Sequence, residues 1–432
     1  MTISGWGRFP KIKASIFSPH NESKCRDYLK EVEECIAQGL GRSYGDSALN
    51  SNVLCSRRLN LILDFNDKEG IISCESGVSL AELIETFLPR GWFLKVTPGT
   101  RFVTVGGAIA SDVHGKNHHK DGSFSESVIS FRLMLPDGEI ILCSRSQNQE
   151  LFYATCGGMG LTGIILSATI QLEKVQSAYI KQTTIRAANL NEIFDLFEEH
   201  KTTKYSVAWI DCLARAKDRG RSLLMLGEHD VDEDFSFSSS KKLSIPFDFP
   251  SITLNRYTVE LFNRLYYNKA KNSVTENKSS LLSFFYPLDA IGNWNKIYGS
   301  RGFIQYQFVL PRESSLEGLQ KILTKVSTSG MASFLAVLKL FGKENNNLIS
   351  FPLEGYTLAL DMKIQPGIWE LLNHLDKIVL DYNGRLYLAK DARMKADTFQ
   401  RGYPKWEQFR QLRDKLGLSE KINSLQSKRI GL

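Results

Sequence analysis

The stretch that most restricts how this chain can fold is residues 97–120, TPGTRFVTVGGAIASDVHGKNHHK. A Pro-Gly turn leads through Thr and Val to the adjacent pair Gly106-Gly107, then a small-residue run, then Asp112-Val113-His114-Gly115-Lys116. Adjacent glycines permit backbone angles that other residues resist, and small side chains let backbone approach a bulky ligand closely. Three of the seven histidines, His114, His118 and His119, fall within this stretch. Beside such a surface, His114 and Lys116 can donate, accept or stabilise charge. A tight turn with a solvated basic tip is the alternative reading of the stretch alone. His118-His119 as a metal pair is disfavoured, because adjacent side chains on irregular backbone rarely converge, and no metal is expected.

Two further glycine loops sit nearby. Gly39-Leu40-Gly41-Arg42-Ser43-Tyr44-Gly45-Asp46 turns sharply and can present N–H groups to an anion, although a plain turn between helix and strand fits it as well. Residues 156–163, CGGMGLTG, are bracketed by a helix-like 151–155 and a β-branched run at 164–172. A dinucleotide fingerprint follows a strand and opens a helix, so this order argues against a Rossmann turn. There is no GxxxxGK[ST] loop either. Three separated glycine loops in the first 165 residues suggest one extended ligand touched at several points.

Around them the spacing predicts a helix over 23–36, strands at 59–64 and 70–77, and a helix over 80–87. It also predicts a hairpin of 127–135 and 139–143 about Pro136-Asp137-Gly138. From about residue 177 the texture changes. Aromatic strand-like runs appear at 205–211, 303–310 and 356–361, and the polar passages 230–242 and 268–280 read as mobile surface loops. Gln305 and Gln307 stand two apart, hence on one strand face, as a polar binding patch or a solvated face. Residues 406–423 form an amphipathic helical pattern.

The totals limit function. With 432 residues, 42% hydrophobic and 23% charged, two or three globular domains are expected. No apolar run is long enough to span a bilayer, and MTISGWGRFPKIK lacks a signal-peptide core. The net charge of +7 is spread along the chain, which asks for no nucleic acid and suits an anionic substrate or lipid headgroup. Seven cysteines without a CxxC pair indicate reduced thiols and no zinc site.

Read together, GLGRSYGD (39–46), PGTRFVTVGGAIASDVHGKNHH (98–119), GGMGLTGIIL (157–166), FIQYQFVLP (303–311), SFLAVLK (333–339) and GRLYLAKDARM (384–394) are familiar. Over nearly its full length the chain resembles the flavin-dependent oxidases of the vanillyl-alcohol oxidase and aldonolactone oxidase group. Within that group it is most similar to the branch that oxidises polyprenyl-phosphoryl ribose.

The resemblance implies an α+β, two-domain FAD-binding (PCMH-type) fold. Residues 1–177 would be the FAD domain, 178–384 a substrate-binding cap on an antiparallel sheet, and 385–432 a segment returning to the FAD domain. The flavin contacts it implies are Ala37, Gly39, Gly41, Arg42, Ser43, Tyr44, Gly45, Asp46 and Ser47, with Gly99, Thr104, Val105, Gly106 and Gly107. Ser111, Asp112, Val113, His114, Ile164 and Tyr387 complete them. The FAD is expected to be noncovalent, because Arg42 stands where tethered relatives carry His and no Cys lies near Thr104.

The resemblance implies Lys390, Tyr44 and His114 as catalytic residues, with Lys390 taking the hydroxyl proton or stabilising the developing alkoxide. Lys116, Gln305, Gln307, Lys339 and Lys390 would bind substrate. The implied reaction is hydride transfer from the 2′-hydroxyl carbon of a polyprenyl-phosphate pentose to flavin N5, the first half of an epimerisation in cell-envelope glycan biosynthesis. The implied partners are a separate NAD(P)H-dependent short-chain reductase and a quinone-like electron acceptor. The location would be cytoplasmic, with peripheral association at the inner membrane face. An aldonolactone or sugar oxidase acting on a soluble substrate is the alternative. Ala359 stands where mycobacterial members carry a cysteine, which implies insensitivity to cysteine-directed inhibition.

Overall fold

A computed structural model describes residues 1–236, 243–250, 252–270, 272–331 and 333–432. The architecture is α+β, with helices packed on sheets that are mostly antiparallel. The N-terminal part holds a small parallel sheet and a six-stranded antiparallel sheet. The small one places Asn52–Cys55 between Ser15–Phe17 and Ile36–Gln38. The larger runs Ile140–Ser144, Val128–Met134, Ile164–Lys174, Ile71–Glu75, Ile62–Asn66, and Trp92–Leu94 pairs the far end of Ile164–Lys174. The hairpin expected about Pro136-Asp137-Gly138 is present, closed by the Gly138 N–H to Leu135 carbonyl bond. The helix Leu80–Phe87 forms where expected, started by a capping box in which Ser79 and Glu82 bond reciprocally.

The second large sheet has eight strands, all antiparallel. Its order is Val274–Ser280, Tyr179–Ala187, Ser222–His229, Tyr205–Ile210, Ala336–Phe341, Gly355–Lys363, Phe303–Pro311, Arg385–Leu386. Phe303–Pro311 is buried on both faces. Its even-numbered residues face the helices Arg312–Ser329 and Ile368–Asp381, where the Tyr306 hydroxyl donates to Asp376 at 3.1 Å. Its odd-numbered residues, Gln305 and Gln307, face inward toward the N-terminal part. The solvated-face alternative for the two glutamines is thereby excluded.

The chain end returns to the N-terminal part. Ile422 bridges Cys35, and Arg429 lies between Asp46 and Asp391. Arg413, fully buried, donates to the carbonyls of Leu161 and Ile422.

Three expectations change. The helix expected at 23–36 is Glu22–Glu31, because Val32 is extended and Ile36 already pairs with Val53. The loop expected at 268–280 contains the strand Val274–Ser280, an edge strand whose polar composition reflects its exposure. The C-terminal helix ends at Lys415 rather than 423. Residues 237–242 of the other expected loop, 230–242, lie outside the described residues, while Asp232 before them accepts a bond from Ser177.

Candidate active site

Between the inner face of the eight-stranded sheet and the N-terminal part lies a cavity of about 490 Å³. One wall is made by the loops the sequence singled out. Gly39 packs against Thr104, where a Cβ would stand 2.2 Å from the threonine hydroxyl, so the first and second glycine loops touch. Thr104 caps the short helix Val105–Ala110 through the Gly107 N–H. Among the described residues, the consecutive N–H groups of Leu40, Gly41, Arg42 and Ser43 find no protein acceptor. Buried polar atoms on the same wall are also unpartnered: Arg42 Nε, Ser47 Oγ, Ser76 Oγ and His114 Nδ1. Buried polar groups are normally satisfied, so this wall is built for a large polar ligand. At Gly99 a Cβ would meet nothing within 4 Å, which leaves open cradle at that point.

The loop carrying Tyr44 is laced to the segment carrying Lys390. The Tyr44 N–H donates to the Ala389 carbonyl at 2.9 Å, and Gly45 lies so close to the Asp391 carbonyl that no side chain could be accommodated. Lys390 Nζ consequently sits 3.9 Å from the centre of the Tyr44 ring. Tyr387 is fixed by its N–H to the Gln307 carbonyl and its hydroxyl to the Ser111 carbonyl at 3.0 Å.

The opposite wall comes from alternate residues of the eight-stranded sheet: Gln305 and Gln307, Val337 and Lys339, Thr357 and Ala359. Gln305 Nε2 donates to Asp361 Oδ1 at 2.6 Å and lies 3.3 Å from the Tyr44 hydroxyl. Gln307 Nε2 donates to Thr357 Oγ1 and to His114 Nε2 at 3.1 Å. Both amides are thus anchored through their NH2 groups, which leaves their carbonyl oxygens to accept from a ligand hydroxyl. The Gln307 bond makes His114 Nε2 an acceptor, so the proton of the neutral ring is on Nδ1.

Electrostatics sharpen the site. Lys390, Lys116 and Lys339 keep accessible surface on the cavity wall but are enclosed by protein. Burial lowers Lys390 to about 7, with Lys339 adding to the effect and Asp361 opposing it. Burial and then Lys339 lower Lys116 to about 7, and burial lowers Lys339 to about 8. Burial, then Lys339, His118 and Lys390, hold His114 well below the usual histidine range, so it is neutral. Burial lifts Asp361 to about 7 against Gln305, Lys390 and Tyr298. Of the Arg, Lys, Asp and Glu side chains lining the cavity among the described residues, Arg42, Lys116, Lys339 and Lys390 are basic and Asp289 alone is acidic.

The cavity therefore unites Arg42, Tyr44, His114, Lys116, Gln305, Gln307, Lys339, Tyr387 and Lys390. Five expected contacts stand behind its wall instead. Gly45 packs on Asp391, Asp46 pairs with Arg429, and Val105 is fully buried. Ile164 also points away, the adjacent Gly163 and Ile165 forming the wall. Asp112, at φ 38°, turns its carboxylate inward to accept from Ser123, the Ser125 N–H, Asn345, Asn347 and Ser350. It anchors the loop that presents Ser111 and Val113.

His118 and His119 are structural: His118 Nδ1 accepts from the Gly342 N–H, and His119 Nε2 bonds the Thr203 carbonyl. Lys116 Nζ donates to the Phe284 carbonyl and lies 4.2 Å from the Phe284 ring centre. Sequence reasoning missed Asp361, and it missed Asp289, which accepts from Thr100 and the Arg101 N–H beside Gly99. It also missed Trp209 and Trp294 in the wall. Sequence reasoning had Asp361 on a strand, and the two-residue step from Thr357 and Ala359 was the signal that could have placed it on their face.

Residues 14–144 match the FAD binding domain family. Over 430 residues, 95% of this chain and 93% of the relative, the chain is 37% identical to decaprenylphosphoryl-beta-D-ribose oxidase of Mycolicibacterium smegmatis. It is 21% identical to L-gulono-1,4-lactone dehydrogenase of Mycobacterium tuberculosis over 433 residues, 95% of each chain. L-gulonolactone oxidase of Bos taurus is 29% identical over 195 residues, 44% of this chain and 43% of that one.

Proposed function

The chain belongs to the FAD-binding oxidoreductase family that includes decaprenylphosphoryl-β-D-ribose oxidase, and from that premise we propose that it oxidises the 2′-hydroxyl of a polyprenyl-phosphate-linked pentose to the 2′-keto sugar. Its cofactor is FAD. When bound, FAD supplies a two-electron acceptor for the hydride leaving the sugar carbon. The residues present fit it: the unpartnered N–H groups of 40–43 and the Ser47 hydroxyl suit a pyrophosphate, and the open space at Gly99, beside Gly106 and Gly107 on the same wall, suits a flat ring. We assign residues 1–177 and 385–432 to this cofactor-binding part and 178–384 to the substrate cap.

The observation that carries the proposal is the Lys390 amine, enclosed on the cavity wall over the Tyr44 ring at 3.9 Å, where burial lowers it to about 7. Lys390 takes the proton of the 2′-hydroxyl as the carbon–hydrogen bond breaks, which it can do because much of it is neutral at neutral pH. Tyr44 forms a floor under that amine. The Gln305 and Gln307 carbonyls accept from the other sugar hydroxyls and set the ring's orientation. His114, neutral and held by Gln307, offers its Nδ1–H to the ligand. Lys339 and Lys116 meet the phosphate, where a retained proton on either is favoured by the incoming anion.

The same reading includes noncovalent FAD. Arg42 at the usual tether position stacks on Trp6 with its guanidinium carbon 4.0 Å from the ring centre, so acid precipitation should release all flavin into the supernatant. It also includes a separate NAD(P)H-dependent reductase that completes the epimerisation and a quinone-like electron acceptor. No described helix is long and apolar enough to cross a membrane, and we propose action at the inner membrane face. Anaerobic mixing with polyprenyl-phosphoryl ribose tests the function. Bleaching of the flavin band near ~450 nm is expected. No bleaching, with a soluble aldonolactone or free sugar working instead, would overturn the substrate assignment.

A further inference from the structure

The helix Arg256–Asn268 is apolar on two opposite sides. Val259, Asn263 and Tyr267 are buried, and Tyr266 beside them lines the active-site cavity, 4.8 Å from Trp209 ring to ring. The opposite side is also apolar: Tyr257, Leu261 and Leu265 are 79%, 59% and 64% exposed, spaced four apart so that they form one stripe. Ile252, on the turn into the helix, is 77% exposed. A helix that only needed to cover the cavity would carry polar residues on this side.

The flanks of the stripe carry Arg264 on one side and Lys269 on the other, and among the described residues neither meets a carboxylate. The helix's one acidic residue, Glu260, is held by Arg256 at 2.7 Å. An apolar stripe with uncompensated cations on both edges and few hydrogen-bonding groups matches the boundary of an anionic bilayer, where apolar side chains enter the acyl region and cations meet headgroups.

We propose that the outer face of Arg256–Asn268 docks the enzyme on an anionic lipid surface, with Tyr257, Leu261 and Leu265 inserted. The inner face of the same helix then lies over the cavity, so a polyprenyl chain can stay in the membrane while its sugar enters. This use of the surface rests on the lipid-linked substrate proposed above.

Co-sedimentation of the FAD-loaded full chain with phosphatidylcholine vesicles containing about 30% phosphatidylglycerol tests it. The native protein should sediment, and a Leu261→Asp/Leu265→Asp variant should partition at least about tenfold less while keeping its flavin and melting temperature. Arg264→Glu, or vesicles without phosphatidylglycerol, should weaken binding several-fold. Equal sedimentation of native and double-variant protein would overturn the proposal. So would a native dimer that the double variant converts to monomer, since the stripe would then face a second copy.

Bleaching by a short-chain prenyl-phosphoryl ribose in solution separates the two proposals. Bleaching without vesicle binding removes the surface and leaves the reaction. Vesicle binding that the double variant abolishes, without bleaching by any lipid-linked sugar, leaves the surface and removes the reaction.

Discussion

Replacing Asp361 with asparagine should shift the acid limb of the reaction toward lower pH, the opposite of what losing a general acid or base would do. Lys390 stands at about 7 because burial lowers it while the Asp361 carboxylate pulls it back up. The amide of the Asp361→Asn variant would keep an acceptor for Gln305 Nε2 but remove the charge. A carboxylate within ~4–6 Å moves a neighbour by 1–3 pKa units, and Asp361, itself lifted to about 7, is only partly ionised there, so the lower end applies. The loss of about one unit corresponds to ~1.4 kcal/mol.

With Lys390 at about 7, about one in ten should be neutral at pH 6 and about nine in ten at pH 8. Bleaching should therefore fall roughly tenfold between those values. In Asp361→Asn the same fall should be centred about one pH unit lower, making the variant faster than native near pH 6. Stopped-flow flavin reduction under saturating substrate reads this directly. A limb that stays in place or moves upward would refute the assignment of Lys390 as the proton acceptor governed by Asp361.

Other consequences are accessible to simpler measurements. Arg429→Gln leaves Asp46 and Asp391 facing each other buried, and should cost about 3 kcal/mol in denaturant unfolding and weaken FAD retention. Asp391 is held below the usual carboxylate range, Arg429 and two backbone N–H groups outweighing its burial. Its stabilisation is therefore complete above its ordinary pKa of about 4 and lost as pH falls through the depressed folded value. Gly99→Leu should yield a folded, colourless protein, because its side chain enters open cradle, whereas Gly45→Ala collides with the Asp391 carbonyl and should fail to accumulate. Ala359→Cys places a thiol on the cavity wall, where no native cysteine lies among the described residues, and should make flavin reduction sensitive to a maleimide that leaves the native enzyme active.

The parts of the site that sequence revealed are those encoded by local pattern. Glycine clusters marked the cofactor wall because close approach leaves few residue choices, and the two-residue step placed Gln305 and Gln307 on one face. Segments whose conformation depends on a distant partner were hidden. Val274–Ser280 looks like a loop by composition, yet the Tyr179–Ala187 strand supplies its ladder. Ile36 continues a helical spacing, but Val53 claims it for a sheet. Asp361 opposes the burial that lowers Lys390, a residue on another element, and no local spacing announces that. Asp112 was a flavin contact implied by the resemblance, and nothing local shows that its carboxylate is taken up by donors from residues 123–125 and 345–350.

The central claim, removal of hydrogen from the 2′ carbon of a lipid-linked pentose, is tested most directly by isotope substitution. Polyprenyl-phosphoryl ribose carrying deuterium at C2′ should bleach the flavin several-fold more slowly than the unlabelled compound in anaerobic stopped flow, and deuterium at C3′ should have no such effect. Equal rates for the C2′-labelled and unlabelled substrates, with slowing by the C3′ label, would contradict the account.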